Sequence, residues 1–490
     1  MMKTQSSRKP AWRRGGRPAA VLRVVALLAG ALAASPPASQ AATAAAERRP
    51  ESLSPTEGYA LVRDLLSERD GLRRRAAGRL IEARDSSLVP GLVDALFFIP
   101  RKDRGLALNV LESLTGERRG SRYLDWVEYL GGREDLEPKA GYAGFKGSLF
   151  ARIDPRFSSL LDDGVTARIR LEEVVWGGVR FEGIPALDRP RHVPAGEAGY
   201  LLPDELVFGV SVGGEHRAYP RRILAWHEMA NDVVGGEPVT LSFCTLCNSA
   251  VLYAGRGPAG EALTFGTSGL LYRSNKLMVD RPTGTLWSNL TGEAVVGPLA
   301  APLPGATARL EPLPVTLTTW AEWRGRHPET TVLALEPERA RRWGFDYAPG
   351  AADRAREGVA FPVWRRSARL EPKAEVYALR VGGAAKAYPL DRLEAEGVVN
   401  DALGGEPVVL VSDAESGAVR AYRRAGHRFA RAADGGLVDE AGRRWRLTEA
   451  ALEPPAGEAA LEPQARLPGH VTFWFGWFGF FPETEVYGDG

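Results

Sequence analysis

The chain has 490 residues, 25% of them charged and 44% hydrophobic, which is more than one ordinary domain requires and normal for a folded globular protein. Its formal charge is +2; without the seven basic residues of 1–42, Lys+Arg falls from 63 to 56 against 61 acidic residues. A mildly acidic remainder excludes nucleic acid and anionic lipid as partners that charge alone would attract.

Residues 1–42 read as a secretory signal peptide. Lys3, Arg8, Lys9, Arg13, Arg14 and Arg17 form a basic start without acids, an apolar stretch follows at 24–34, and small residues lead to a cut near Ala41 or Ala42. The apolar stretch is too short to span a bilayer, so the mature chain is expected to carry no membrane span and to be periplasmic or extracellular.

Residues 50–135 read as helical. LVRDLLSERDGLRRRAAGRLIEA, LVPGLVDALFF and LALNVLESLTG place apolar residues at intervals of three and four, with breaks at Asp70-Gly71, Asp85-Ser86 and Pro100-Arg101. Short amphipathic helices in series suggest a HEAT-like stack, and a plain helical bundle fits the same spacing. A scaffold that binds a protein partner through this region is one functional reading.

From about residue 145 the pattern changes to strand-like runs, VTARIRLEEVVW, ELVFGVSVGG, EHRAYP, PVTLSF and AVLYAG, separated by Gly, Pro and Asp turns. Residues 207–253 then realign without a gap on 376–422, with 17 of 47 positions identical. The shared positions, including Tyr219-Pro220, Asn231-Asp232 and Gly235-Gly236-Glu237-Pro238, are turn chemistry and apolar pattern, and read as scaffold. The fold class expected is therefore α+β. A helical region precedes a β-rich body of two related halves, 145–335 and 371–490, joined by a segment at 336–370, with the second half degenerate. Thr319-Trp-Ala-Glu322 fits a capping box, so a short helix is expected there. By analogy, the aromatic run 473–481 is a packed terminal helix.

What the second copy has lost marks the site. His227 becomes Glu396, Cys244 becomes Asp413 and Cys247 becomes Ser416, and these are the only two cysteines in the chain. The C-x-x-C lies between two strand-like runs, so it is expected on a tight turn rather than at a helix start. Three readings of Cys244, Cys247 and His227 stand open. One is a dithiol/disulfide redox pair with His227 moving the proton and a protein or small-molecule thiol or disulfide as partner. A second is a Cys₂His site for zinc or copper, open to a fourth ligand. The third is an inert pair of cysteines beside a core histidine. The first two require the imidazole to meet the sulfurs, and the redox reading also needs those sulfurs to be reachable. Further along, Arg273 and Asn275 are candidates to orient a substrate beside the thiols.

IRLEEVVWGGVRFEGIPALDRP, the whole C-x-x-C segment, LTFGTSGLLYRSNKLMVDRPTGTLWSNLTGEAVVG and the closing TFWFGWFGFFPETEVYG together resemble the bacterial domain-of-unknown-function family 3179, over about 145–490. In that family's pattern Cys244, Cys247, His227, Arg273, Asn275 and Trp287 all match, which adds Trp287 to the substrate-binding candidates. The resemblance implies a family with members treated as selenoproteins at the C-x-x-C, and so favours redox chemistry. It implies no substrate, and the helical region lies outside it.

Overall fold

A computed structural model describes residues 53–302, 307–348, 358–458 and 460–489. The expected signal peptide lies outside these residues. Seven helices come first: α1 (Pro55–Asp64), α2 (Asp70–Ala83), α3 (Val89–Phe98), α4 (Gly105–Thr115), α5 (Tyr123–Gly131), α6 (Tyr142–Phe150) and α7 (Phe157–Leu160). Ser54 and Glu57 close a reciprocal capping box on α1, with proline at its first turn. Asp70 opens α2 instead of breaking it, and its carboxylate meets Arg74 one turn on at 2.7 Å.

The helical region extends past the boundary expected at 135. Its continuation, GYAGFKGSLF, carries three glycines and no amphipathic stripe, so periodicity does not announce it. In α3, residues 89–96 are all buried, and the helix packs against α1, α4, α5 and α6. A solenoid repeat touches only its neighbours, whereas this is the arrangement of a bundle around one apolar helix. The single charge in α3, Asp94, is met by Lys146 Nζ at 2.8 Å and by the Tyr142 hydroxyl at 2.7 Å, as a buried carboxylate must be.

The helices share a core with the first sheet, Val174–Trp176, Phe265–Tyr272, Asn275–Asp280, Leu286–Ser288 and Ala294–Val296. The Phe97 ring meets the Trp176 indole edge-on across that boundary. Of the strand-like run 165–176, only Val174–Trp176 forms a strand. The two middle strands, Phe265–Tyr272 and Asn275–Asp280, are buried along their whole length, so both faces of this sheet are covered.

The gapless repeat carries the same elements at both ends. The strands Leu206–Val212 and Glu215–Pro220, helix α8 (Arg221–His227), and the strands Met229–Val234 and Glu237–Cys244 stand against Glu375–Val381, Ala384–Pro389, a helix at Leu390–Glu396, Val398–Leu403 and Glu406–Ser412. Between the repeats lie helix α9 (Trp320–Arg326) and helix α10 (Pro337–Trp343). The later helix is α11, and the aromatic run forms α12 (Trp474–Phe480). Thr319 caps α9 by accepting from the Glu322 amide.

Tethers recur pair by pair. Tyr219 donates to Asp232 at 2.6 Å, and Tyr388 to Asp401 at 3.0 Å. Asn231 and Asn400 each hold both the carbonyl and the amide of a phenylalanine, Phe265 and Phe429. Trp323 donates to Thr330 at 2.9 Å and Trp477 to Thr484 at 2.8 Å. Gly235-Gly236 and Gly404-Gly405 fill equivalent two-residue hairpin loops at positive φ, where only glycine is unstrained. No helix among the described residues is long and apolar enough to cross a membrane.

Candidate active site: a buried dithiol

The C-x-x-C closes a β-hairpin. Cys244 ends the strand Glu237–Cys244 and pairs with Ser249, the first residue of Ser249–Ala254, and Asn248 turns the chain at φ 53°. The tight turn expected from the sequence is what forms. Thr245 at its tip is exposed, but Cys244 and Cys247 are 1% and 0% exposed, and both are free thiols.

Cys247 lies in a polar nest. Asn275 Nδ2 donates to its Sγ at 2.8 Å, and the Ser249 hydroxyl stands 3.0 Å from the same sulfur. Asn289 holds Ser249 in turn at 3.1 Å. Asn275, named from the sequence as a candidate to orient a substrate, thus touches the sulfur itself. The Cys247 carbonyl accepts from the Phe473 amide and the Thr472 hydroxyl, which binds the turn to the strand His470–Phe473 that leads into α12.

The electrostatics separate the two sulfurs. Burial pushes the Cys244 thiol up, but a hydrogen bond from Cys247, the Lys276 ammonium and a backbone hydrogen bond outweigh it and hold Cys244 below the ordinary thiol range. Burial pushes Cys247 well above that range, and its hydrogen bond to Cys244 adds to the rise. A pair split this way makes Cys244 the first of the two to ionise.

Lys276, not singled out in the sequence, is the cation of this site. Its Nζ donates to the carbonyl oxygens of Glu228 and Phe243, the latter at 3.0 Å, and lies 3.8 Å from the Glu228 carboxylate. Burial lowers the Lys276 ammonium and raises the Glu228 carboxyl, so the two exchange a proton more readily than free groups would. A lysine in a strand buried on both faces is the signal that could have found it.

His227 is not part of this group. It ends α8 one turn after Ile223 and Leu224, on the face that enters the core, and both ring nitrogens are occupied. Nδ1 lies 2.7 Å from the Pro185 carbonyl oxygen and Nε2 meets the Tyr347 hydroxyl. Burial lowers its pKa to about 4, so it is a neutral, weakly basic ring at ordinary pH. The Cys₂His ligand set for zinc or copper is therefore not assembled. Among the described residues, no group of three or more His, Cys, Asp or Glu side chains could hold a metal ion.

Two other candidates also serve elsewhere. Arg273 occupies a two-residue hairpin loop at φ 49°, grips Glu173 at 2.9 and 3.1 Å and donates to the Gly479 carbonyl at 3.1 Å, tying α12 to the first sheet. Trp287 is fully buried and donates to Asp280 at 2.7 Å; Trp445 makes the same bond to Asp439 at 3.0 Å in the copy without cysteines. The same contact at both ends accounts for the Trp287 indole N–H as part of the frame.

The thiols are roofed by α12. Cys244, Cys247, Val363 and Phe475 form one apolar cluster, with Leu246 and Phe473 against it. Gly476 allows that approach, because a Cβ there would lie 2.6 Å from Cys247 Cβ. Gly476→Ala is expected to cost about 1–3 kcal/mol in unfolding free energy. It should also speed the native-state reaction of the cysteines with a thiol reagent, since α12 must lift to fit the methyl group. Denaturant melts and labelling rates on the same preparation check both.

Fold and site define an α+β protein with a hairpin dithiol, one buried lysine beside it and an aromatic helix above it. The family described as "Protein of unknown function (DUF3179)" matches residues 181–484, and the chain belongs to it. The match takes in the hairpin, Lys276 and α12, and leaves out α1–α7. No curated protein and no solved structure matches the chain.

Proposed function

We propose that this is an exported thiol–disulfide redox protein whose working residues are Cys244 and Cys247. The two conditions set from the sequence are not met as stated, since His227 bonds elsewhere and both sulfurs are buried. The proton-handling role expected of His227 therefore falls to Lys276 and Glu228, and the side chains covering the sulfurs must move. The observation that carries the reading is the contrast between the two hairpins. In the later copy Asp413 closes the turn by accepting from the amides of Glu415 and Ser416 at 2.9 and 3.1 Å. The turn thus needs no sulfur, yet the earlier copy sets two thiols against each other beside a buried ammonium. An inert pair would not call for a buried lysine beside it.

In this reading the body is a duplicated module. The second half keeps the frame, has lost the chemistry, and covers the site with its last helix.

The reaction balances as thiol–disulfide exchange. The Cys244 thiolate attacks one sulfur of a substrate disulfide, forming a mixed disulfide and releasing one thiolate, which takes a proton. Cys247 passes its own proton toward the Lys276–Glu228 pair and attacks Cys244 Sγ, releasing the second substrate thiol and closing a Cys244–Cys247 disulfide. The substrate gains two electrons and the protein loses them; a dithiol reductant returns it to the starting state.

Incubation with glutathione mixtures, read by intact mass, is the test. The wild type should lose two hydrogens reversibly, Cys247→Ser should accumulate a mixed disulfide with glutathione, and Cys244→Ser should not. A wild-type chain that keeps both hydrogens at every glutathione ratio rules the reading out.

A further inference from the structure

A cleft of about 350 Å³ lies against the roof of the dithiol. Three parts of the chain that are distant in sequence wall it: α5, residues 359–367 and α12. Its volume is that of a small-molecule site. Leu124, Phe361, Trp474 and Phe478 give it an apolar, largely aromatic lining, and Val363 and Phe475 belong both to its wall and to the cluster that encloses Cys244 and Cys247. These two side chains thus face the cleft on one side and the thiol cluster on the other. Each arginine at its rim is paired, Arg122 with Asp125 at 3.7 Å, Arg366 with Glu128 at 2.5 Å and Arg365 with Glu134, just outside the lining, at 3.8 Å. Such a rim gives no net attraction to an ion of either sign, and the lining favours a flat, uncharged body.

Building on the redox reading above, we infer that this cleft is where the dithiol receives its substrate, and that the substrate is a small, uncharged disulfide with flat apolar substituents. Val363 and Phe475 are the gate: they touch the sulfurs and must turn aside before a disulfide bond can reach them. This gives the helical region a place in the site, since α5, outside the family match, supplies one wall. The exchange is that of the preceding section: two thiolates attack in turn, two aromatic thiols leave, and the electron pair passes from the dithiol to the incoming disulfide.

Dipyridyl disulfide is the probe, used on the reduced full chain with release of pyridinethione followed by absorbance. Its rate should saturate with concentration. Dipyridylethane, the same body with carbon in place of sulfur, should compete with it. Dithiobis(nitrobenzoate), an aromatic disulfide with an equally good leaving group but two carboxylates, should react about tenfold more slowly at equal concentration. Ala360→Trp fills the cleft from an exposed position, with no strain on the core, and should slow the dipyridyl reaction about tenfold; Val363→Ala should speed it. An unchanged rate in Ala360→Trp, or a linear concentration dependence without competition, overturns the inference and points to access past Thr245 at the hairpin tip. The glutathione experiment separates the two failures. A normal Cys244–Cys247 disulfide together with unaffected cleft kinetics removes this inference alone, whereas no disulfide at any glutathione ratio removes the redox reading and this inference with it.

Discussion

Lys276→Met should slow the reaction of Cys244 with a small alkylating reagent at neutral pH by about tenfold, because it removes the one cation that favours the thiolate. The measurement is best made in Cys247→Ser, where a single sulfur reacts, with the rate followed as a function of pH. Removing the ammonium should move the midpoint of that profile upward. Glu228→Gln should move it downward, because the Glu228 carboxylate raises the Cys244 pKa. A merely structural role for Lys276, through its bonds to the Glu228 and Phe243 carbonyl oxygens, would change the rate at all pH values alike and leave the midpoint in place. Opposite displacements in the two variants are the signature of charge, and a fixed midpoint in both would remove Lys276 and Glu228 from the chemistry.

The sequence singles out Cys244, Cys247 and Asn275, which the structure brings together, but not Lys276 and Glu228 beside them. The comparison of the two segments draws attention to the cysteines because they change within a frame that is kept, where Asn231, Asp232 and Tyr219 make the same contacts as Asn400, Asp401 and Tyr388. It failed for His227, although that residue also changes between copies. Spacing along a chain fixes which residues are near in sequence, while the direction of a side chain at a helix end is set by packing. His227 follows Ile223 and Leu224 into the core, and Glu396 at the equivalent position accepts from the Tyr487 hydroxyl at 2.8 Å. In each copy, then, the last residue of this helix meets a tyrosine hydroxyl, a local exchange of partners unrelated to the thiols.

Arg273, Trp287 and Lys276 show the same limit from the side of the sheet. Alternation marks an outer face only when a sheet has one, and this sheet is covered on one side by the helices and on the other by the strands Met229–Val234 and Ser249–Ala254. In such a strand polar residues are all buried, and each must find a partner. Which partner each finds depends on elements far away in the chain: Glu173 and Gly479 for Arg273, Glu228 for Lys276, Asp280 for Trp287. The helix α6 was missed for a different reason. Its glycines weaken the helix signal, and it forms because α3 presents an apolar surface that only tertiary packing supplies.

Acid should unfold this protein well above the pH at which its carboxylates titrate. Burial depresses His227 and His470 to about 4, and His192 and His327 to about 4 as well, with the charges of neighbouring groups as smaller influences. A histidine depressed in the folded state takes up its proton only on unfolding, once the pH falls below the ordinary value of about 6.5. Stability is therefore flat above about pH 7, falls between about 6.5 and 4, and levels below that, each such histidine contributing about 1.4 kcal/mol per pH unit across the window. His227 and His470, 1% and 8% exposed, together give about 3 kcal/mol per pH unit, and His192 and His327, less sealed, steepen the fall. Among the described residues no ion pair offsets the loss at His470, whose ring lies by Trp477 and among Leu317, Tyr377 and Val419 with its Nε2 unpartnered. Urea melts at half-unit steps of pH check the slope. His470→Phe should remove about one proton's share of it, because the phenylalanine fills the same space and cannot charge. If stability instead stays level down to about pH 5, the buried histidines are matched in the unfolded chain and the slope belongs to the carboxylates alone.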